Sequence, residues 1–202
     1  MALVLLTFAI AVGGAISKRG QALPSLPEQS PELPKLIVDE SVASDFHALA
    51  SETWGKFLTT FAARRTCFGD VRLRATRQLD SRAAYDPATA TVTVRVPATA
   101  ALLREALVHE WAHHLEFQCE AQQSLRPAFL QAQGLPPDTL WRLDRNRATT
   151  PQSAWDDIPS EQYAEAAIEL VLGRRQISTG VHLKPEAVRV LAAWAAGDDY
   201  RP

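Results

Sequence analysis

His109 and His113 stand four residues apart inside a strongly apolar stretch containing Leu107, Val108, Trp111 and Leu115. On a helix that spacing turns through about 400°, which leaves the two imidazoles only about 40° apart around the axis. Solvated histidines on a surface helix would not need such apolar neighbours. The segment therefore calls for a largely buried helix with two imidazoles side by side, and the pattern extends it from about Thr99, an acceptable N-cap, to about Gln118.

Two imidazoles on one turn can reach a single ion. Neutral imidazole is a good Zn²⁺ ligand, and a catalytic zinc site takes three protein ligands and keeps one position open. Glu110 lies about 60° from His113 on the flank of the same face, close enough to reach a water without itself binding the metal. The third ligand must come from elsewhere. The extended His-Glu-x-x-His-x-x-Gly-x-x-His form needs a glycine and a histidine where the chain has Glu116 and Cys119. Cys119 also falls on another face of the helix. A carboxylate on a later helix remains. Residues 160–170 place Glu161 and Glu165 four apart, with the small Ala164, Ala166 and Ala167 allowing close approach to the first helix. One carboxylate can bind zinc while the other accepts the second N–H of a ligating histidine.

His109-Glu110-Trp111-Ala112-His113 followed by Glu161-Gln162-Tyr163-Ala164-Glu165 resembles the gluzincin class of zinc metallopeptidases, including the lethal-factor-like and minigluzincin catalytic domains. The resemblance implies a zincin-like fold and a Zn²⁺ cofactor. It makes Glu161 the third ligand, Glu165 the group that supports a ligand, and Glu110 the general base. It also implies an edge strand above the active-site helix that pairs with an extended peptide or protein substrate. The matching segment is Thr91–Val96, with Thr91, Val92, Thr93 and Val94 as the substrate-strand residues. Members of the class often use a Tyr or His on the oxyanion; Tyr163 lies inside the ligand helix, and His182 is a loose candidate.

The surrounding pattern reads as α+β: a small antiparallel sheet beside a helical C-terminal half. Leu49, Trp54, Phe57, Leu58 and Phe61 recur at helical spacing over 41–64. Residues 70–78 alternate apolar and basic, and 82–86 and 91–97 pair around Asp86-Pro87-Ala88-Thr89. Pro97 suits an edge position for the last of these strands. Short helices are expected at 126–133 and 137–144 within an irregular stretch, then helices from Ser160 to about Gly173 and over 185–196. Trp141 and Trp155 in that stretch read as aromatic packing under a long loop, with a place in a cleft wall as the alternative, His114 as a supporting or surface group, and His47 as structural.

Residues 2–16 form an uncharged apolar run of 15, short of the roughly 20 needed to span a bilayer. It reads as a signal peptide or membrane anchor over 1–19, followed by a proline-rich linker at 20–36 and one domain at 37–202. Lys18-Arg19 follow the run, a charge order that favours an outside N-terminus. The expectation is a secreted chain or one tethered facing outside. Cys67 and Cys119 could then pair, tying the metal helix to the sheet. A formal net charge of −2 gives no pointer to nucleic acid.

The expected chemistry is peptide-bond hydrolysis by metal-activated water. Two alternatives stand beside it. One is a non-enzymatic, envelope-associated module whose zinc is closed by a fourth ligand from Cys119 or His114. The other is a metal hydrolase acting on a cell-wall amide. No nucleophile-elbow motif supports serine or cysteine chemistry.

Overall fold

The computed structural model describes residues 32–142 and 155–198. The apolar run at 2–16 and most of the proline-rich segment lie outside the described residues. Among those described, no helix is long and apolar enough to cross a membrane.

The fold is α+β, with four strands and five helices among the described residues. The strands are β1 (Leu36–Val38), β2 (Val71–Thr76), β3 (Ala83–Asp86) and β4 (Thr91–Arg95). The helices are α1 (Ser44–Thr60), α2 (Ala100–Gln118), α3 (Gln122–Gln133), α4 (Pro159–Leu172) and α5 (Pro185–Ala195). A single 3₁₀ turn, Ala62–Arg64, follows α1.

The sheet is mixed, not antiparallel as expected. Its order is β1-β2-β4-β3, with β1–β2 and β2–β4 parallel and only β3–β4 antiparallel. The hairpin was visible in the sequence because Asp86 carries a turn: its carboxylate accepts from the Ala88 N–H and the Thr89 hydroxyl. The parallel pairings were not visible, because the chain leaves β1 through α1 before returning in β2. That crossover separates the two strands by more than thirty residues. β1 itself was missed. It is only three residues long and begins at Leu36, at the end of the proline-rich segment.

The same topology corrects the substrate-strand assignment. Thr91, Val92, Thr93 and Val94 lie in β4, which is hydrogen-bonded to β2 on one side and β3 on the other. Pro97 misled because it stands beyond the ladder, whose last bond runs from the Val96 N–H to the Thr76 carbonyl. Among the described residues, the edge strand on this side of the sheet is β3.

The basic residues of β2 do form a solvated face: Arg72 and Arg74 are exposed, while Val71 and Leu73 are buried against the helices. Between sheet and helices sits an aromatic core. Trp111 of α2 meets Trp54 with ring centroids 4.9 Å apart and Phe57 at 5.8 Å. Phe68 closes on the same cluster. Trp111 thus uses the apolar flank of α2 to fix its roll and turns the two histidines to the opposite side. His47 is exposed on α1, so it plays no part in this core.

The helix boundaries follow local chemistry. Thr99 caps α2, its hydroxyl accepting from the Leu102 N–H at 3.3 Å. α4 begins one residue before the expected Ser160, because Pro159 occupies the first helical position, where its missing N–H costs nothing. It ends at Gly173, which takes the left-handed conformation at φ 78°. α3 starts earlier than expected, at Gln122. No helix forms at 137–142, and the remainder of that expected element lies outside the described residues.

Cys67 and Cys119 are joined in a disulfide, with Cα atoms 4.7 Å apart. Cys119 caps the C-terminus of α2, so the bond ties the end of that helix to the loop entering β2. A cross-link over 52 residues restricts the unfolded chain by about 4 kcal/mol in the loop-entropy account. Replacing both cysteines by alanine is therefore expected to lower the thermal midpoint by about 10 °C. An unchanged midpoint would show that the bond does not stabilise the fold.

Candidate metal centre

α2 and α4 pack against each other, and Glu161, the small and wholly buried Ala164, and Glu165 share one face of α4. The packing of the two helices carries Glu161 across to the histidines. The Nε2 atoms of His109 and His113 lie 3.2 Å apart. Glu161 places Oε2 at 3.1 Å from His109 Nε2 and Oε1 at 3.6 Å from His113 Nε2. These three side chains form a group whose ligand atoms all lie within 4.8 Å of one another. Tetrahedral ligands at about 2.0–2.1 Å from one ion would be spaced by about 3.3–3.4 Å, so the triangle suits Zn²⁺ in size.

The far nitrogens of both rings are held by carboxylates. His109 Nδ1 lies 3.1 Å from Glu165 Oε1, and His113 Nδ1 lies 3.1 Å from Glu116 Oε2. A carboxylate only accepts, so each Nδ1 carries the proton and each neutral ring turns its Nε2 lone pair inward. Two lone pairs and an ionised carboxylate then face one another with no donor among them. Such a cluster must take up either protons or a cation.

Both supporting carboxylates are anchored in turn. Glu165 Oε2 meets the Arg175 guanidinium at 2.9 Å. Glu116, whose side chain is fully buried, accepts from Trp141 Nε1 and pairs with Arg142 Nη2 at 2.6 Å. The loop bearing Arg175 is fastened to α2 because Glu105 Oε1 accepts from the Gln176 and Ile177 N–H groups. Glu116 was weighed in the sequence only as the residue that breaks the extended motif. Its signal was the three-residue step from His113, which puts both on one helix face.

The electrostatics follow from this crowding of carboxylates. Burial alone would strip the proton from His109, but Glu161 and Glu165 outweigh it and lift its pKa to about 9. Burial likewise opposes protonation of His113, and Glu161 and Glu116 raise it to about 10. Burial favours the neutral form of Glu161, yet the two histidines hold its carboxyl well below the ordinary range. Glu165 is shifted down as well: burial opposes this, while His109 and Arg175 prevail.

A cavity of about 320 Å³ opens over the cluster. Glu110 lines it beside His109, His113 and Glu161, and does not belong to the ligand group. Ala84 and Tyr85 of β3 form one wall, and Trp155, with Ile158, lies on another. Trp155 thus faces the cavity, whereas Trp141 packs between Phe129 and Tyr163 as expected of an aromatic under a loop. Neither oxyanion candidate is placed to act. Tyr163 is wholly buried in that aromatic group, and His182 gives its backbone carbonyl to Gln133. Neither lines the cavity.

Tyr85 does line it, but its proton is committed. His114 Nε2 lies 3.0 Å from the Gly69 carbonyl and must donate to it, so His114 Nδ1 accepts from the Tyr85 hydroxyl at 2.9 Å. Burial lowers the His114 pKa and keeps that ring neutral. His114 therefore fixes the edge strand to the metal helix, and both its nitrogens are occupied.

No protein-family model, curated protein or solved structure matches the chain. Without metal, His109 and His113 bind protons more tightly in the fold than at the ordinary value of 6.5. The stability this confers is complete below about 6.5 and is lost as pH rises through about 9 to 10. Glu161 acts in the opposite sense, its contribution being lost as pH falls below its ordinary 4.5. The metal-free chain is therefore expected to melt at a falling temperature between pH 7 and 10, while the zinc-loaded chain keeps its midpoint. Calorimetry in two buffers at pH 7 should show about two protons released per zinc bound. Glu116→Gln and Glu165→Gln should each weaken zinc binding by about 10- to 100-fold. Undiminished affinity in both would remove the supporting role of these carboxylates.

Proposed function

We propose that the chain is a zinc-dependent peptidase with the gluzincin arrangement of residues: His109, His113 and Glu161 hold the ion, and Glu110 is the general base. The observation that carries this reading is the convergence of three acceptor groups on one side of a cavity that Glu110 also lines. Bound there, Zn²⁺ supplies Lewis acidity, lowering the pKa of water and polarising a carbonyl. Glu110 accepts the proton of the attacking water and delivers it to the leaving amine. Glu165 and Glu116 hold the two rings with their Nε2 atoms inward. An extended substrate pairs along β3, the edge strand among the described residues, in place of the expected β4, where Ala84 and Tyr85 line the same cavity as Glu110. The Cys67–Cys119 disulfide supports a site of action outside the cytosol, by secretion or from a membrane tether.

The structural-zinc alternative needs a fourth protein ligand. Cys119 is engaged in the disulfide and His114 is bonded at both nitrogens, so each residue weighed for that role is occupied elsewhere. Hydrolysis of a cell-wall amide uses the same groups and differs only in substrate.

Glu110→Gln is expected to reduce hydrolysis at least 100-fold with one zinc per chain retained. Casein and purified cell-wall material, incubated in parallel with the zinc-loaded chain, separate the two hydrolase readings. Turnover surviving in Glu110→Gln would remove Glu110 as the base. Cleavage of neither material by the unaltered chain would count against the enzyme itself.

A further inference from the structure

We propose that Arg142, seated on the ring of Phe117, forms a carboxylate-accepting subsite beside the metal centre, so that the preferred peptides carry a carboxylate next to the bond that is cut. This rests on the peptidase reading above.

Arg142 lines the same cavity as His109, Glu110, His113 and Glu161, and it is the one cationic side chain among the described lining residues. Its guanidinium carbon lies 3.3 Å from the centroid of the Phe117 ring. Phe117 is 44% exposed, so the pair stands where the cavity meets solvent. Stacking on an aromatic face leaves the edges of a guanidinium free to donate in its own plane.

Arg142 has one acidic partner among the described residues, Glu116, reached through Nη2. That carboxylate is shared: it also accepts from Trp141 Nε1 and from His113 Nδ1. Its charge is divided among three donors and only partly offsets Arg142. A guanidinium carries five N–H groups in a fork that fits a carboxylate, and one nitrogen is engaged here. The other lining groups that bear a donor compete poorly for an anion. Tyr85 has committed its proton to His114, and Ser160 is uncharged.

The charge balance points the same way. Glu110 and Glu161 are the lining anions and Arg142 the lining cation. With a divalent ion in place and neutral histidines, the walls would sum to one positive charge. That balance favours an anionic group, and Arg142 fixes where it sits. Because Arg142 contacts the far side of the Glu116 carboxylate that holds His113, the subsite lies to one side of the ion. A group flanking the scissile bond would occupy it.

The test measures binding in zinc-loaded Glu110→Gln, which holds peptides without cutting them. Two matched pairs of short peptides distinguish the sources of a carboxylate. One pair differs in a C-terminal acid or amide, the other in an internal Glu or Gln. The acid form of at least one pair is expected to bind about tenfold more tightly by titration calorimetry. Adding Arg142→Gln should abolish that ratio with zinc still stoichiometric, whereas Arg142→Lys should keep most of it. The ratio matters because a merely structural loss through Glu116 weakens acid and amide forms alike. Equal binding of acid and neutral forms in both pairs, an unchanged ratio in Arg142→Gln, or no binding of any peptide overturns the subsite. Turnover plays no part in this measurement. A chain that cuts no peptide therefore refutes the peptidase reading, while the carboxylate preference is judged on its own binding ratios.

Discussion

The close packing of α2 against α4 is the contact on which the rest of this molecule depends. There Glu161, one turn of α4 away from the small Ala164 and Glu165 on the same face, reaches two imidazoles on α2. Trp111 acts from the opposite flank of α2, locked among Trp54, Phe57 and Phe68, and sets the roll that turns His109 and His113 toward α4. The disulfide at Cys119 and the His114 bonds to Gly69 and Tyr85 hold the same helix to the sheet. Core, sheet and cross-link thus position one helix face.

That face concentrates acceptors. Glu161, Glu165, Glu116 and Glu110 stand around two histidines, and burying so many carboxylates is costly unless each is paired. Arg175 and Arg142 offset the two outer ones. Each ring therefore belongs to an imidazole–carboxylate–arginine series running outward from the centre. Protons fill the inner acceptors when no metal is present, which is why both histidine pKa values rise. One divalent ion would satisfy three acceptors at once.

The grouping of His109 with His113, and of Glu161 with Glu165, was legible because four-residue spacing brings each pair to one face of its helix. The α+β class followed from periodicity in 41–64, 70–78 and 91–97. What failed was long-range. Parallel pairing of β1, β2 and β4 leaves no local mark, so the sheet was expected to be antiparallel and β4 to lie at its edge. Pro97 reinforced that error by standing just past the last ladder bond. Glu116 and Arg142 were overlooked for a related reason: Trp141, His113 and Arg142 converge on the Glu116 carboxylate only in space, and Arg142 lies in a stretch with no periodicity at all.

Zinc content of the purified chain, measured by elemental analysis beside Glu161→Ala and His113→Ala, tests the central claim most directly. The account predicts one zinc per chain, lost or much weakened in both variants, with the fold retained by circular dichroism. One zinc retained without Glu161, or none taken up by the unaltered chain after reconstitution, would contradict it.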